Sequence, residues 1–568
     1  MGQPHADTLS GFVGVNLRRE RLSLEDGDCA SAINADFHTK PGVLRSRLGT
    51  TIYRTGIGDT VSRLGRANGV EYFLAGSVWY RAGTAIVSAM LPFSGSIVGM
   101  RPVDDADSWT FLANPGAMTK ATATRLELWG LTAPGSAATL AAGAAGSLLG
   151  NYSLRYTYLR KVGGSIAHES NPSPVSNTLG VTNLTITVSG IADSTDPQAT
   201  HKRLYRTVNT GSDWFFEADI AQGVTTATLS LPDNSLGVTL EEDNDNPPLT
   251  GWAAEFQNHM FLAIDSENPH YLWYSKRFKP ESFPAANYLE IGYPGDPIQG
   301  GARLVGLLGI FTRDTKYRIV GNATSGFVAI EALSSRGTPA GQATTVTDQG
   351  ALFIARDGIY LTNFQAADVQ LSAAIESLFY NETVNDYRPI DWNQAQYIAT
   401  GTYRQRYYVS YPMVGGGAMT AVYSRETQKW YFYNIDPSVF YADELSDKLW
   451  AGTPGGDILT IDSGDASTET FATTATLADR GGPATTLRKR FMYCSIDANP
   501  AGGLITMYIY IDEQLRHTIN LNGRRRKALH RLPDGMIGYT ARVSLRMSHT
   551  AIQEVYSVSI VSLPMEVY

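Results

Sequence analysis

A few short stretches of this chain hold residue types that could do chemistry. IDSGD at 461–465 brings Asp462 and Asp465 close in sequence, with Asp457 just upstream. Paired carboxylates serve glycoside hydrolysis, one as acid and the other as base or nucleophile. Asp and Gly at a strand end also make polar turns, and that reading is preferred here. EEDNDNPP at 241–248 offers Glu241, Glu242, Asp243 and Asp245 as oxygen ligands for calcium. The central Gly and closing Glu of a calcium loop are missing, so the run reads as a solvated linker. Gly163-Gly164-Ser165-Ile166-Ala167 comes near a nucleophile elbow, but it ends in Ala and sits in a hairpin loop. His168 beside Glu169 reads as a surface pair. The nine histidines show no metalloprotease spacing, and no phosphate-cradling loop is present. The expectation is no catalytic residue, no metal site and no cofactor.

Two basic clusters stand out near the end, Arg488-Lys489-Arg490 and Arg524-Arg525-Arg526-Lys527. Such runs usually lie on a solvated hairpin edge, where charge blocks unwanted strand pairing. The whole chain carries a formal net charge of −8, which argues against a general nucleic-acid-binding surface.

The elements that must position these residues are strands. Hydrophobic residues make up 43% of the 568 and charged residues 18%, the balance of a folded protein. Gly is plentiful at 55, and Tyr at 30 outnumbers Phe at 20, which favours turns and β-structure. The two cysteines, Cys29 and Cys494, exclude a disulfide framework and suit a reducing compartment. No signal-peptide core is seen at the N-terminus, and no apolar run approaches the ~20 residues of a membrane helix.

In chain order, 11–54 reads as an extended arm with one or two strands. GVEYFLAGSVWYRAG predicts a hairpin with a Gly76-Ser77 turn. APGSAATLAAGAAGSLLG at 133–150 reads as a Gly-rich linker. Alternating strands then run to the acidic linker, so 134–248 forms one small sandwich of fibronectin or immunoglobulin-like pattern. Its linker-like ends predict a peripheral module that can be excised without harm to the rest. The clearest stretch is 303–379. Two strands flank a polar turn at Arg313-Asp314-Thr315, and three more are joined at Gln349-Gly350 and Asp357-Gly358, where glycine supplies a positive φ. A short helix follows, with Leu371, Ile375, Leu378 and Phe379 at helical spacing and Ser372 as its cap. Strand pairs with recurring tryptophans (Trp79, Trp129, Trp273, Trp430, Trp450) continue this meander without a fixed repeat. The fold class is all-β: a β-propeller-like ring of about six or seven blades, an inserted sandwich and a C-terminal β-sandwich-like domain. The divisions are 1–133, arm and first blades; 134–248, inserted sandwich; 249–465, remaining blades; and 466–568, linker and terminal β-rich domain.

Four segments also carry a likeness. They are the arm with Gly14, Asn16, Ala32, Asn34, Gly42, Arg45, Arg47 and Gly49; HMFLAIDSENPHYLWYSKRFKPESF; the SSRGTPAGQATTVTDQGALFIARDGIYLTN stretch with its Ile-Glu-Ser-Leu continuation; and MTAVYSRETQKWYFYN. Their order resembles the tail nozzle, or packaged-DNA stabilisation, proteins of short-tailed bacteriophages. The resemblance implies a non-enzymatic virion protein of the tail, assembled in the host cytoplasm as a homo-hexamer below the portal and adaptor ring. It implies a channel through which double-stranded DNA is retained and then ejected without sequence recognition, and docking sites for fibre, spike or needle proteins. A conduit of this kind is expected to have an acidic or neutral wall, with the basic clusters facing partners or solvent. The alternative is a carbohydrate-binding or carbohydrate-active β-propeller, which needs a convergent set of carboxylates.

Overall fold

The computed structural model describes residues 3–322, 324–462, 471–481, 486–548 and 551–565. Strand accounts for 53% and helix for 4%, so the protein is all-β with small, propeller-like sheets. The helical pieces among the described residues are short 3-10 turns. None is long and apolar enough to cross a membrane. The chain divides into two compact units, Met1–Leu64 with Gly309–Lys316 and Glu331–Tyr568, and Gly65–Leu308 with Tyr317–Ile330.

In the second unit, the sheets at 96–128 and 250–290 are four-stranded antiparallel meanders. The strand Trp109–Ala113 is buried along its whole length, which is why it reads as a continuous apolar run. The hairpin Val70–Ala75 to Val78–Arg81 turns at Gly76-Ser77 as expected, with Gly76 at φ +51°. Residues 139–229 form two sheets. One contains Thr139–Tyr152, Leu179–Ser189 and Ala227–Leu229; the other runs Ser165–Glu169, Leu154–Val162, His201–Thr207, Trp214–Ala221. Leu140, Tyr152, Leu154, Tyr156, Ile186, Val188, Leu204 and Leu229 fill the space between them. The non-sequential pairing of Leu154–Val162 with His201–Thr207 is the crossover of a Greek-key sandwich.

The Gly-rich stretch at 133–150 is not a linker. Thr139–Tyr152 is a 14-residue strand paired with Leu179–Ser189. Its glycines serve close approach: a Cβ on Gly146 would lie 2.7 Å from the Thr185 nitrogen, and one on Gly143 2.4 Å from Thr185 Oγ1. Composition alone reads small residues as flexible, whereas the partner strand holds them extended.

In the first unit, the N-terminal residues are not an arm. Gly14–Val15 and Asp28–Ile33 lie inside a ten-stranded sheet, between Lys429–Tyr433 and Ala472–Leu477. His5–Ser10 pairs with Glu554–Pro564, and Ala35–Asp36 and Leu44–Ser46 extend the same seven-stranded sheet. Thr51–Arg54 completes the sheet of Val439–Asp443, Lys448–Gly452 and Ile458–Ile461. The C-terminal strands are not a separate sandwich either. Ala541–Ser548, Leu504–Ile511 and Gln514–Asn522 continue the ten-stranded sheet that begins at Ala399–Tyr403. Of the linker read at 466–486, Ala472–Leu477 is a strand; 466–470 and 482–485 lie outside the described residues.

The meander Thr344–Thr347, Gly350–Ala355, Gly358–Thr362 forms as read. Its glycines take the positive φ expected of them, Gly350 at +143° and Gly358 at +159°. Each opens the strand after the turn, and a Cβ on Gly350 would lie 2.4 Å from the Thr362 carbonyl oxygen. The helix expected after it is a 3-10 segment, Ala373–Phe379, broken at Ile375 where φ is −126°. Ser372 does not cap it; its Oγ accepts from the Ile359 N–H at 2.9 Å.

Candidate functional site

Of the carboxylates singled out in IDSGD, Asp462 is engaged in a buried ion pair. Asp462, at φ +51°, is buried in the first unit. Its Oδ2 accepts from Arg406 Nη1 and the Tyr408 hydroxyl, each at 2.6 Å. Arg406 also donates to Thr39 Oγ1 at 2.9 Å and lies 3.8 Å from Asp36. Burial alone would push the Asp36 carboxyl up, but Arg406 and hydrogen bonds from Thr39 and His38 outweigh it and hold it below the usual range. Asp457 sits apart in a turn, where it accepts from Thr55 Oγ1 at 2.6 Å. Asp465 lies outside the described residues. In the acidic run of the second unit, Glu241 and Asp243 pair with Lys276, and Glu242 with Arg155. Gly163 and Gly164, at φ +58° and +91°, are the turn of a plain hairpin.

A dense buried polar centre was not singled out in the sequence. It lies in the second unit, where the inserted sandwich meets the sheets at 96–128 and 250–290. Arg160 Nη2 donates to Asp105 Oδ2 and Glu281 Oε1, both at 2.7 Å. Lys120, fully buried, donates to Gln198 Oε1 at 2.9 Å and pairs with Glu281. Trp109 Nε1 donates to Asp105 Oδ2 at 2.8 Å, and the Lys120 ammonium lies 4.7 Å from the Trp109 ring centre. Strand alternation gives the one sign of this in the sequence: Leu154, Tyr156, Tyr158 and Arg160 all point the same way.

Two clefts flank this centre. One, of about 580 Å³, is lined by Glu127, Asp193, Asp196, Tyr158 and Thr132 among others. Burial pushes the Glu127 carboxyl up to about 7, with Arg125 opposing and Glu281, Asp196 and Asp105 adding to it. Lys202 holds Asp193 below the usual range. A carboxyl that is protonated near neutrality beside ionised ones can act as a general acid.

The other cleft, of about 370 Å³, is lined by His168, Glu169, Arg203, Tyr205, Phe278 and Lys279 among others. Here the surface reading of His168 fails. The residue is buried and its Nε2 has no hydrogen-bond partner among the described residues. The residue belongs to the inner side of a short edge strand, and its polar neighbours hide this in the sequence. Burial depresses the imidazole from 6.5 to about 4. Between those values the unfolded chain takes up a proton that the folded protein refuses, so stability falls as pH drops through that window. His168→Gln is expected to remove this component from the acid side of a plot of unfolding midpoint against pH. A variant curve parallel to the parent's would show that His168 does not resist protonation.

No protein-family model and no curated protein matches this chain. Solved structures match at low similarity. An exo-β-1,3-galactanase from Phanerochaete chrysosporium with galactose is 6% identical, over 54% of this chain and 95% of that one, at a TM-score of 0.21. Kluyveromyces lactis Hsv2 is 8% identical over 66% and 97%, at 0.21. PorZ of the Porphyromonas gingivalis type-IX secretion system is 12% identical over 90% and 83%, at 0.22. At these scores the likeness carries no weight for function.

Proposed function

We propose that this chain is a structural subunit of a short-tailed phage tail, a nozzle that extends the DNA conduit below the adaptor. One observation carries the reading. Four residues of the N-terminal likeness, Gly14, Ala32, Asn34 and Arg47, sit at buried joints of the first unit. Asn34, at φ +59°, accepts from Arg47 Nε at 3.0 Å and from the Asn434 N–H at 2.9 Å, and donates to the Ala472 carbonyl at 3.1 Å. Arg47 is fully buried, its guanidinium 3.9 Å from the Phe471 ring centre. The Ala32 N–H donates to the Tyr387 hydroxyl at 2.8 Å, and a Cβ on Gly14 would lie 2.8 Å from the Trp430 carbonyl oxygen. Buried joints of this kind suit a part that bears load.

Six copies form the ring in this reading, each contributing −8 to a field that keeps DNA from adhering. The exposed residues of the basic clusters are Arg488, Arg490 and Arg524 to Lys527; Lys489 is buried and donates to the Leu487 carbonyl at 3.1 Å. Partner proteins, fibres, spikes or a needle, are the occupants this reading gives them. Electron microscopy and native mass measurement of the purified protein with its adaptor are expected to show a sixfold ring. Duplex DNA is expected to bind more weakly than about 1 µM at physiological salt. A persistent monomer, or sub-micromolar duplex binding, would sink the conduit reading. A carbohydrate-active protein remains the second reading, favoured by Glu127, whose carboxyl burial pushes up to about 7 in a carboxylate-lined cleft. A monomer that releases sugar from polysaccharide, and loses that activity in Glu127→Gln, would establish it instead.

A further inference from the structure

The cleft beside His168 takes no part in a conduit, yet its walls are built and oriented. We propose that it binds a neutral, hydroxyl-rich ligand of the size of one sugar ring, anchored by Glu169. The volume of about 370 Å³ lies within the range of small-ligand sites.

Glu169 is held as an acceptor. Its Oε1 takes hydrogen bonds from Thr157 Oγ1 and the Tyr205 hydroxyl, both at 2.7 Å. Both bonds go to the same oxygen, which leaves Oε2 to accept from a ligand hydroxyl. His168 lines the cleft beside it as a buried ring.

The charges of the cleft argue against an anion. Arg203 is engaged by Asp219 through two bonds, Nε to Oδ1 at 2.7 Å and Nη2 to Oδ2 at 2.9 Å. Lys279 is 3.4 Å from Glu241. The cations at the wall, Arg203 and Lys279, face Asp104, Glu169 and Glu241 across the lining, so a phosphate would meet carboxylates there without compensation. Apolar contact comes from Val238 and from Phe278, whose φ of +60° is rare for a bulky residue and is fixed by its N–H bond to the Asn258 carbonyl at 2.7 Å.

This inference is independent of the nozzle reading and stands or falls alone. The test uses the full chain with methyl α-glucoside, methyl β-galactoside and N-acetylglucosamine as probes, and inorganic phosphate as the anionic control. Saturation-transfer NMR and titration calorimetry read the binding. At least one glycoside is expected to bind, and phosphate is not. Glu169→Gln is expected to weaken binding by about tenfold, the effect of losing one hydrogen bond to a charged group. Val238 lines the cleft and is 67% exposed, so Val238→Arg is expected to block the site and leave the unfolding midpoint unchanged. The proposal is overturned if no glycoside binds at about 50 mM, if phosphate binds instead, or if Val238→Arg leaves binding intact.

Discussion

A chain shortened to begin at Thr55 is expected to yield no folded first unit. The missing residues include Leu9, Phe12, Val15, Cys29, Ala32, Phe37 and Leu44, all buried in the main core. Burying one large apolar side chain contributes about 1.5–3 kcal/mol, so a handful of them rivals the whole ~5–15 kcal/mol of a typical domain. Polar losses add to this. Arg406 would lose Thr39 and Asp36, and the Ala472 carbonyl would lose Asn34. The ten-stranded sheet would also be cut between Lys429–Tyr433 and Ala472–Leu477, leaving two interior edges bare. Soluble yield and near-ultraviolet circular dichroism check this. A soluble truncated chain with one cooperative transition would mean that the N-terminal strands are dispensable after all.

Arg160→Ala is expected to destabilise the second unit by about 3–5 kcal/mol, the usual result of breaking a buried ion pair from one side. Asp105 and Glu281 would keep their charge with Lys120 as the remaining buried cation near them. Arg155→Ala is the control on the same strand: its pair with Glu242 is partly exposed and is worth about 0–1 kcal/mol. Urea midpoints of the two variants should differ accordingly, and equal midpoints would show that the buried network is dispensable. The same network alters what excision of 134–248 should do. The cut would take away Arg160 and Gln198 while leaving Lys120, Asp105 and Glu281 behind. The peripheral-module expectation, in which the remainder is untouched, does not fit that geometry.

What could be read from the sequence was local. The meander at 344–362 needs only neighbouring strands and tight turns, and both leave marks in composition. The N-terminal strands find partners such as Glu554–Pro564, at the far end of the chain, and no local pattern records that. The stretch at 371–379 fails for another reason: a few apolar residues at helical spacing fit a kinked 3-10 segment equally well. At the candidate sites, only the alternation of Leu154–Val162 marks Arg160 in the sequence. Its partners Lys120, Asp105 and Glu281 sit on short segments where alternation has too few residues to speak. His168 was misread because burial there comes from the packing of separate sheets, which polar neighbours in sequence conceal.

The pairing of His5–Ser10 with Glu554–Pro564 sets a timetable. At about 5–20 residues per second, a ribosome needs roughly half a minute to two minutes between making the first strand and making its partner. During that interval the early strands have bare edges and apolar faces, and the sheets that will enclose them do not exist. Folding of the first unit must therefore wait until Glu554–Pro564 has been made, and it proceeds through contacts of long sequence separation, which form slowly. The register also places His5 opposite Ser562. A short bridge joining the two ends, with new ends opened at a loop such as Val414 to Gly417, would turn the latest contact into one of the earliest.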